Sequence, residues 1–122
     1  MRYASGGVID GSPMICGGYG KASGQSSGQD QNNCYTYEKS SQAWKLRANL
    51  KRKRRLHSSV VMNGALWVLG GYNDNNGNLD TTEYMHANGT VVAGPNLPSA
   101  RRGHCSVTLH DGKVIIIGGH SW

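Results

Sequence analysis

The sequence predicts an all-β chain assembled from repeated four-stranded antiparallel sheets, and three observations predict it. Short apolar runs end three times in a double glycine: Met14-Ile15-Cys16 before Gly17-Gly18, Leu66 to Leu69 before Gly70-Gly71, and Val114 to Ile117 before Gly118-Gly119. The first glycines stand 53 and 48 residues apart, a period that belongs to stacked supersecondary units rather than to one closed domain. Away from the glycines a second register holds at an offset of 47: Tyr37 with Tyr84, Trp44 with Val91, Leu50 with Leu97, Arg54 with Arg101, Arg55 with Arg102, and His57 with His104. Finally, 18 glycines, no Phe and short β-branched runs suit many short strands joined by tight turns.

The elements follow in order. In the first unit, strand A is expected over Ser5 to Ile9, strand B over Pro13 to Gly17, strand C over Cys34 to Glu38 and strand D over Ala43 to Leu46. In the second unit, A runs from His57 to Met62 and B from Ala65 to Gly71. Asn63-Gly64 joins them as a hairpin turn that supplies positive φ at both central positions. C then covers about Thr81 to Met85 and D about Thr90 to Ala93. The third unit shows only A (Cys105 to Leu109) and B (Lys113 to Ile117). Strands A and B are apolar on both faces, as in Val114-Ile115-Ile116-Ile117, which suits sheets buried between neighbours. At each double glycine, chain is expected to pass close to neighbouring backbone, where a Cβ would obstruct it.

The order Arg55, His57, Val60-Val61-Met62, Asn63-Gly64, Leu66 to Leu69, Gly70-Gly71 and Tyr84 resembles the repeat of the kelch family of β-propellers. Tyr37 and Trp44 supply that family's Tyr and Trp pair in the first unit. The resemblance covers nearly the whole chain: repeat 1 over about residues 1–50, repeat 2 over about 51–97 and a partial repeat 3 over about 98–122. One departure is Val91 where the family favours Trp, which is expected to weaken packing of the outer strand. The resemblance implies an incomplete propeller. Because propellers close with about 4–8 blades, the expectation is a piece of a longer chain with further kelch blades, or self-association.

Charge and motif arguments exclude several function classes. The net charge is +6, and Lys51-Arg52-Lys53-Arg54-Arg55 supplies five of thirteen basic side chains. Such a run reads as a nuclear localisation signal, a polyanion patch or a solvated loop between units. No aromatic residue interleaves it, which argues against nucleic acid. No segment reaches the roughly 18 apolar residues of a membrane span. Gly18-Tyr19-Gly20-Lys21-Ala22-Ser23 lacks the glycine spacing of a phosphate loop, and no helix pattern follows it. No hydrolytic constellation occurs, so no catalytic residue is assigned. His57 and His104 are repeat equivalents, expected to anchor strand A by hydrogen bonds. His110 and His120 lack a third ligand, so neither a metal nor a cofactor site is assigned.

Cys16 and Cys34 fall at facing ends of adjacent antiparallel strands, so they form a candidate disulfide. Asn88-Gly89-Thr90 is a candidate glycosylation sequon in the C–D turn. Together these lean towards an extracellular compartment over the cytoplasm.

The resemblance further implies a protein–protein interaction scaffold that binds a partner protein or peptide, acidic in some relatives, through loops at one end of the blades. Antiparallel order places the B–C loops and D–A connections on one side. The partner-binding candidates there are Tyr19, Arg54, Arg55, Tyr72, Asn73, Arg101, Arg102 and His120. The B–C loop from Tyr19 to Asn33 is expected to be flexible from its Gly, Ser and Gln content. Two alternatives stand beside this reading. One is part of a propeller enzyme resembling the galactose oxidase type of copper oxidase, although Cys34 and Tyr35, adjacent in a strand, would point to opposite faces. The other is a truncated product without function.

Overall fold

Two four-stranded antiparallel sheets and the first half of a third stand side by side in the computed structural model, which describes residues 2–21 and 25–120. The first sheet contains β1 (Ser5–Ile9), β2 (Ser12–Cys16), β5 (Asn33–Glu38) and β6 (Ala43–Asn49), in that spatial order. Between β2 and β5 lies a small hairpin of β3 (Tyr19–Gly20) and β4 (Gln29–Asp30). The second sheet contains β7 (Ser58–Met62), β8 (Ala65–Leu69), β11 (Thr82–His86) and β12 (Val91–Ala93). Its own small hairpin is β9 (Tyr72–Asn73) with β10 (Gly77–Asn78). β13 (Cys105–Thr108) pairs with β14 (Val114–Ile117) in the third. No helix occurs among the described residues, and hence none long and apolar enough to cross a membrane.

Local chemistry accounts for these elements. Asn63 and Gly64 sit at φ 54° and 72°, and Asp10 and Gly11 at 50° and 77°, so both A–B hairpins turn through paired left-handed residues. Most strands end within one or two residues of the expected bounds; β6 runs three residues past Leu46 to Asn49, and the double glycines, expected to end strand B, lie just outside the ladder. The described parts of the loop expected to be flexible, on either side of residues 22–24, are tied to each other. Tyr19 pairs with Asp30, and Gln31 Nε2 donates to the Gly20 carbonyl at 2.6 Å. Ala22, Ser23 and Gly24 of that loop lie outside the described residues.

The A strands are the inner ones, because successive sheets meet along them. Ser59 Oγ donates to the Gly6 carbonyl at 3.0 Å, and Ser106 Oγ to the Ser59 carbonyl at 3.5 Å, so one hydroxyl position stitches three sheets. The core between the first two sheets holds Ile9, Met14, Cys16, Cys34, Leu50, Leu66, Val68 and Met85. Cys16 and Cys34 face each other across β2 and β5 and form a disulfide, with Cα atoms 4.1 Å apart. Cys105 is a free, exposed thiol.

Val91 does not leave a hole in the second sheet. It sits opposite Met85, one residue off the first sheet's Tyr37–Trp44 pairing, and packs against the core. Tyr84 stacks instead on Trp67 of β8, with ring centroids 4.2 Å apart, whereas Tyr37 meets Trp44 at 5.4 Å. The aromatic partner has moved from the outer strand to its inner neighbour.

Candidate functional site

Each inner strand is entered through a pair of residues whose side chains meet different fates. Arg54 is fully buried. Its Nη1 donates to the carbonyls of Gly70 and Thr81, both at 2.9 Å, and its Nη2 to Thr81 Oγ1 at 3.2 Å and Glu83 Oε2 at 2.9 Å. The guanidinium therefore ties the ends of β8 and β11 together within one sheet. Burial pulls its pKa below the usual arginine value, and Glu83 opposes that pull. Its repeat equivalent Arg101 donates to the Gly118 carbonyl at 3.1 Å and to Ser99 Oγ at 2.6 Å. Arg54 is thus withdrawn from the set of candidates on the loop face: its guanidinium is a buried staple within the second sheet. Asn73 leaves the set for the same reason. It is buried, its Nδ2 donates to the Lys53 carbonyl at 2.7 Å, and its Oδ1 accepts from the Asn75 and Asn76 amides.

The second member of each pair behaves differently. Arg55 lies between two rings, with Cζ 4.9 Å from the centroids of both Tyr19 and Tyr72. Arg102 also lies over the Tyr72 ring, at 4.6 Å, and Arg2 approaches Tyr19 at 5.6 Å. The result is an alternating row, Arg2–Tyr19–Arg55–Tyr72–Arg102, crossing three sheets at their loop end. Backbone pairing sets it. Arg2 bridges Tyr19, Arg55 bridges Tyr72 and Arg102 bridges His120, each joining the residue three before an inner strand to the residue after a double glycine. Such cation–π contacts contribute about 0.5–1 kcal/mol each when exposed and more when desolvated.

The charges along the row are unequal. Arg55 is fixed by Asp30 at 2.9 Å and Asp74 at 3.3 Å, and Asp30 also accepts the Asp74 amide at 2.8 Å. Arg2 at one end is exposed, while Arg102 at the other is half-buried. A shallow depression of about 390 Å³ opens between Arg2, Tyr3, Tyr19, Arg55 and Leu56. Of the sequence-derived candidates, the structure gathers Tyr19, Arg55, Tyr72, Arg102 and His120 on this face. Sequence reasoning passed over Arg2, Asp30 and Asp74. Arg2 had a usable signal, since it precedes Arg55 by 53 residues, the spacing of the first two double glycines. The two aspartates fall at unrelated places in loops of different length and carry no repeat signal.

The histidines anchor the sheets to each other. His57 Nε2 donates to the Cys16 carbonyl at 3.0 Å, and His104 Nε2 to the Leu69 carbonyl at 2.9 Å, each joining an inner strand to the preceding sheet. Burial, with the Arg54 charge second, pushes the His57 pKa down to about 3. Burial lowers His104 as well. Among the described residues no cluster of three or more His, Cys, Asp or Glu groups is placed to hold a metal. Cys34 is bonded to Cys16, so in this state its sulfur is not available for a thioether with Tyr35.

Comparison with known proteins gives a consistent picture of the fold. A family model described as Kelch motif matches residues 53–86. Alpha-scruin of Limulus polyphemus is 29% identical over 86 residues, which cover 70% of this chain and 9% of that protein. The solved structure of YjhT superimposes with a TM-score of 0.84 at 19% identity, covering 98% of this chain and 45% of that one. The chain therefore spans less than half of YjhT and under a tenth of alpha-scruin.

Proposed function

From the premise that this chain belongs to the kelch-repeat proteins and forms part of a β-propeller, we propose that it is an interaction scaffold holding an acidic segment of a partner protein across the loop end of its blades. The observation that carries the reading is the Arg–Tyr row. Arg55, neutralised by Asp30 and Asp74, acts as a fixed pillar that orients Tyr19 and Tyr72. Arg2 and Arg102 flank it and supply guanidinium donors for carboxylates. The tyrosines supply rigid contact area at small cost in side-chain entropy, as interface anchors do. This is a binding role, and no catalytic step is assigned to any residue.

The test is fluorescence anisotropy with a labelled Glu/Asp-rich peptide and its Gln/Asn counterpart. The acidic peptide should bind, and the neutral one should bind at least tenfold more weakly. Arg2→Glu combined with Arg102→Glu should abolish the difference, while Lys113→Glu, on an exposed side chain away from the row, should leave it intact. Equal binding of the two peptides, or full binding by the double variant, overturns the reading.

A further inference from the structure

The basic run at 51–53 is not absorbed by the Arg–Tyr row. It borders a separate pocket of about 530 Å³, between the linker into the second blade, the β9–β10 hairpin and the segment after β12. From this pocket we infer that the second blade carries a binding site for a sulfated polysaccharide.

Lys51, Arg52 and Lys53 are exposed, and none of them pairs with a carboxylate among the described residues. The acid that lines the pocket is Glu83, and it is already consumed. Its Oε1 accepts the Lys51 amide at 2.6 Å, and its Oε2 accepts the Arg52 amide at 3.1 Å and Arg54 Nη2 at 2.9 Å. Since Glu83 balances Arg54, three cations remain unopposed around one concavity. The backbone bearing them is held at both ends, by Glu83 and by Asn73 Nδ2 on the Lys53 carbonyl. Arg54, which also lines the pocket, keeps a buried Nε–H without a partner.

The remaining lining selects among anions. Asn75, Asn76 and Asn96 are exposed there, and each carboxamide offers both donors and an acceptor, the complement of sugar hydroxyls. No aromatic ring lines the pocket, so bases have nothing to stack on. No large apolar side chain lines it either, so a peptide finds no hydrophobic anchor. Exposed cations on a held backbone, beside amides, suit a ring that carries ester sulfates and hydroxyls. The Cys16–Cys34 disulfide is in keeping with an oxidising compartment, where such polysaccharides occur.

The experiment is titration calorimetry of the 122-residue chain with a heparin-derived tetrasaccharide, its desulfated form, and a single-stranded oligonucleotide of equal charge. The sulfated sugar should bind, and the desulfated form at least tenfold more weakly. Affinity should fall with added salt, and the salt slope should shrink in K51A/R52A/K53A along with at least a tenfold loss of binding. N75A/N76A/N96A should weaken the sugar and leave the oligonucleotide unchanged. R2E/R102E should leave sugar binding intact, which separates this site from the peptide face. Unchanged binding by the lysine–arginine variant with its melting temperature preserved overturns the site. Oligonucleotide binding as tight as that of the sulfated sugar overturns the sugar assignment.

Discussion

Adjacent residues of one basic run do different physical work here. Arg54 is buried against three acceptor groups and a carboxylate, Arg55 stands between two tyrosine rings, and Lys51 to Lys53 point to solvent. Breaking a buried pair such as Arg54–Glu83 from one side costs about 3–5 kcal/mol, because the remaining charge stays buried without compensation. Charge density along the run therefore does not tell the buried Arg54 from its exposed neighbours. His57 sets a pH dependence. Its pKa lies at about 3 in the folded chain against 6.5 unfolded, so the unfolded chain takes up the proton first as pH falls. Its contribution to stability is full above about pH 6.5 and is lost progressively towards pH 3. Between pH 6.5 and 4.5 the loss amounts to ~2 kcal/mol. Urea unfolding at the two pH values should show it, and His57→Gln, which keeps a donor but does not titrate, should flatten the dependence.

At the scale of the element, the double glycine is a junction between blades. A Cβ on the second glycine would meet the carbonyl oxygen of the arginine entering the same blade: 2.8 Å at Gly18, 2.7 Å at Gly71 and 2.6 Å at Gly119. A Cβ on the first would meet the next blade, at 2.6 Å from the Arg54 oxygen for Gly17 and 2.9 Å from the Arg101 oxygen for Gly70. Among the described residues nothing lies within 4 Å of that position at Gly118. Gly118→Ala thus bears only the cost of φ +76°, roughly 1–2 kcal/mol. Gly71→Ala bears a comparable φ cost at +103° and a clash with backbone besides. Chemical denaturation should rank Gly71→Ala as clearly more destabilising than Gly118→Ala. Equal effects would show that close approach is not what the glycine provides. The small hairpins β3–β4 and β9–β10 belong to this scale too. Two-residue strands are too short to show a period in sequence, and they are set by the pairing of Tyr19 and Tyr72 with the arginines.

Across the whole molecule, burial depends on having a neighbour on each side. Leu69 and Ile117 occupy the same place in their repeats, two residues before the second glycine. Leu69 is 5% exposed and Ile117 58%. Leu69→Ala should cost about 2–5 kcal/mol, the usual range for a buried aliphatic side chain. Ile117→Ala should stay within about 1 kcal/mol, since little apolar area returns to water. Thermal melts of the two variants measure the difference directly.

The amino-acid order by itself determined the repeat, the strand assignments, the hairpin turns and the blade architecture. Each of these rests on local periodicity or on residues that alone tolerate a given backbone angle, as Asn63-Gly64 does. Tertiary structure decided which arginine of each pair is buried. It also decided that Tyr84 finds Trp67, and that Asp30 and Asp74 converge on Arg55. Those outcomes depend on distances between residues far apart in the chain, and such distances exist only after neighbouring sheets have packed.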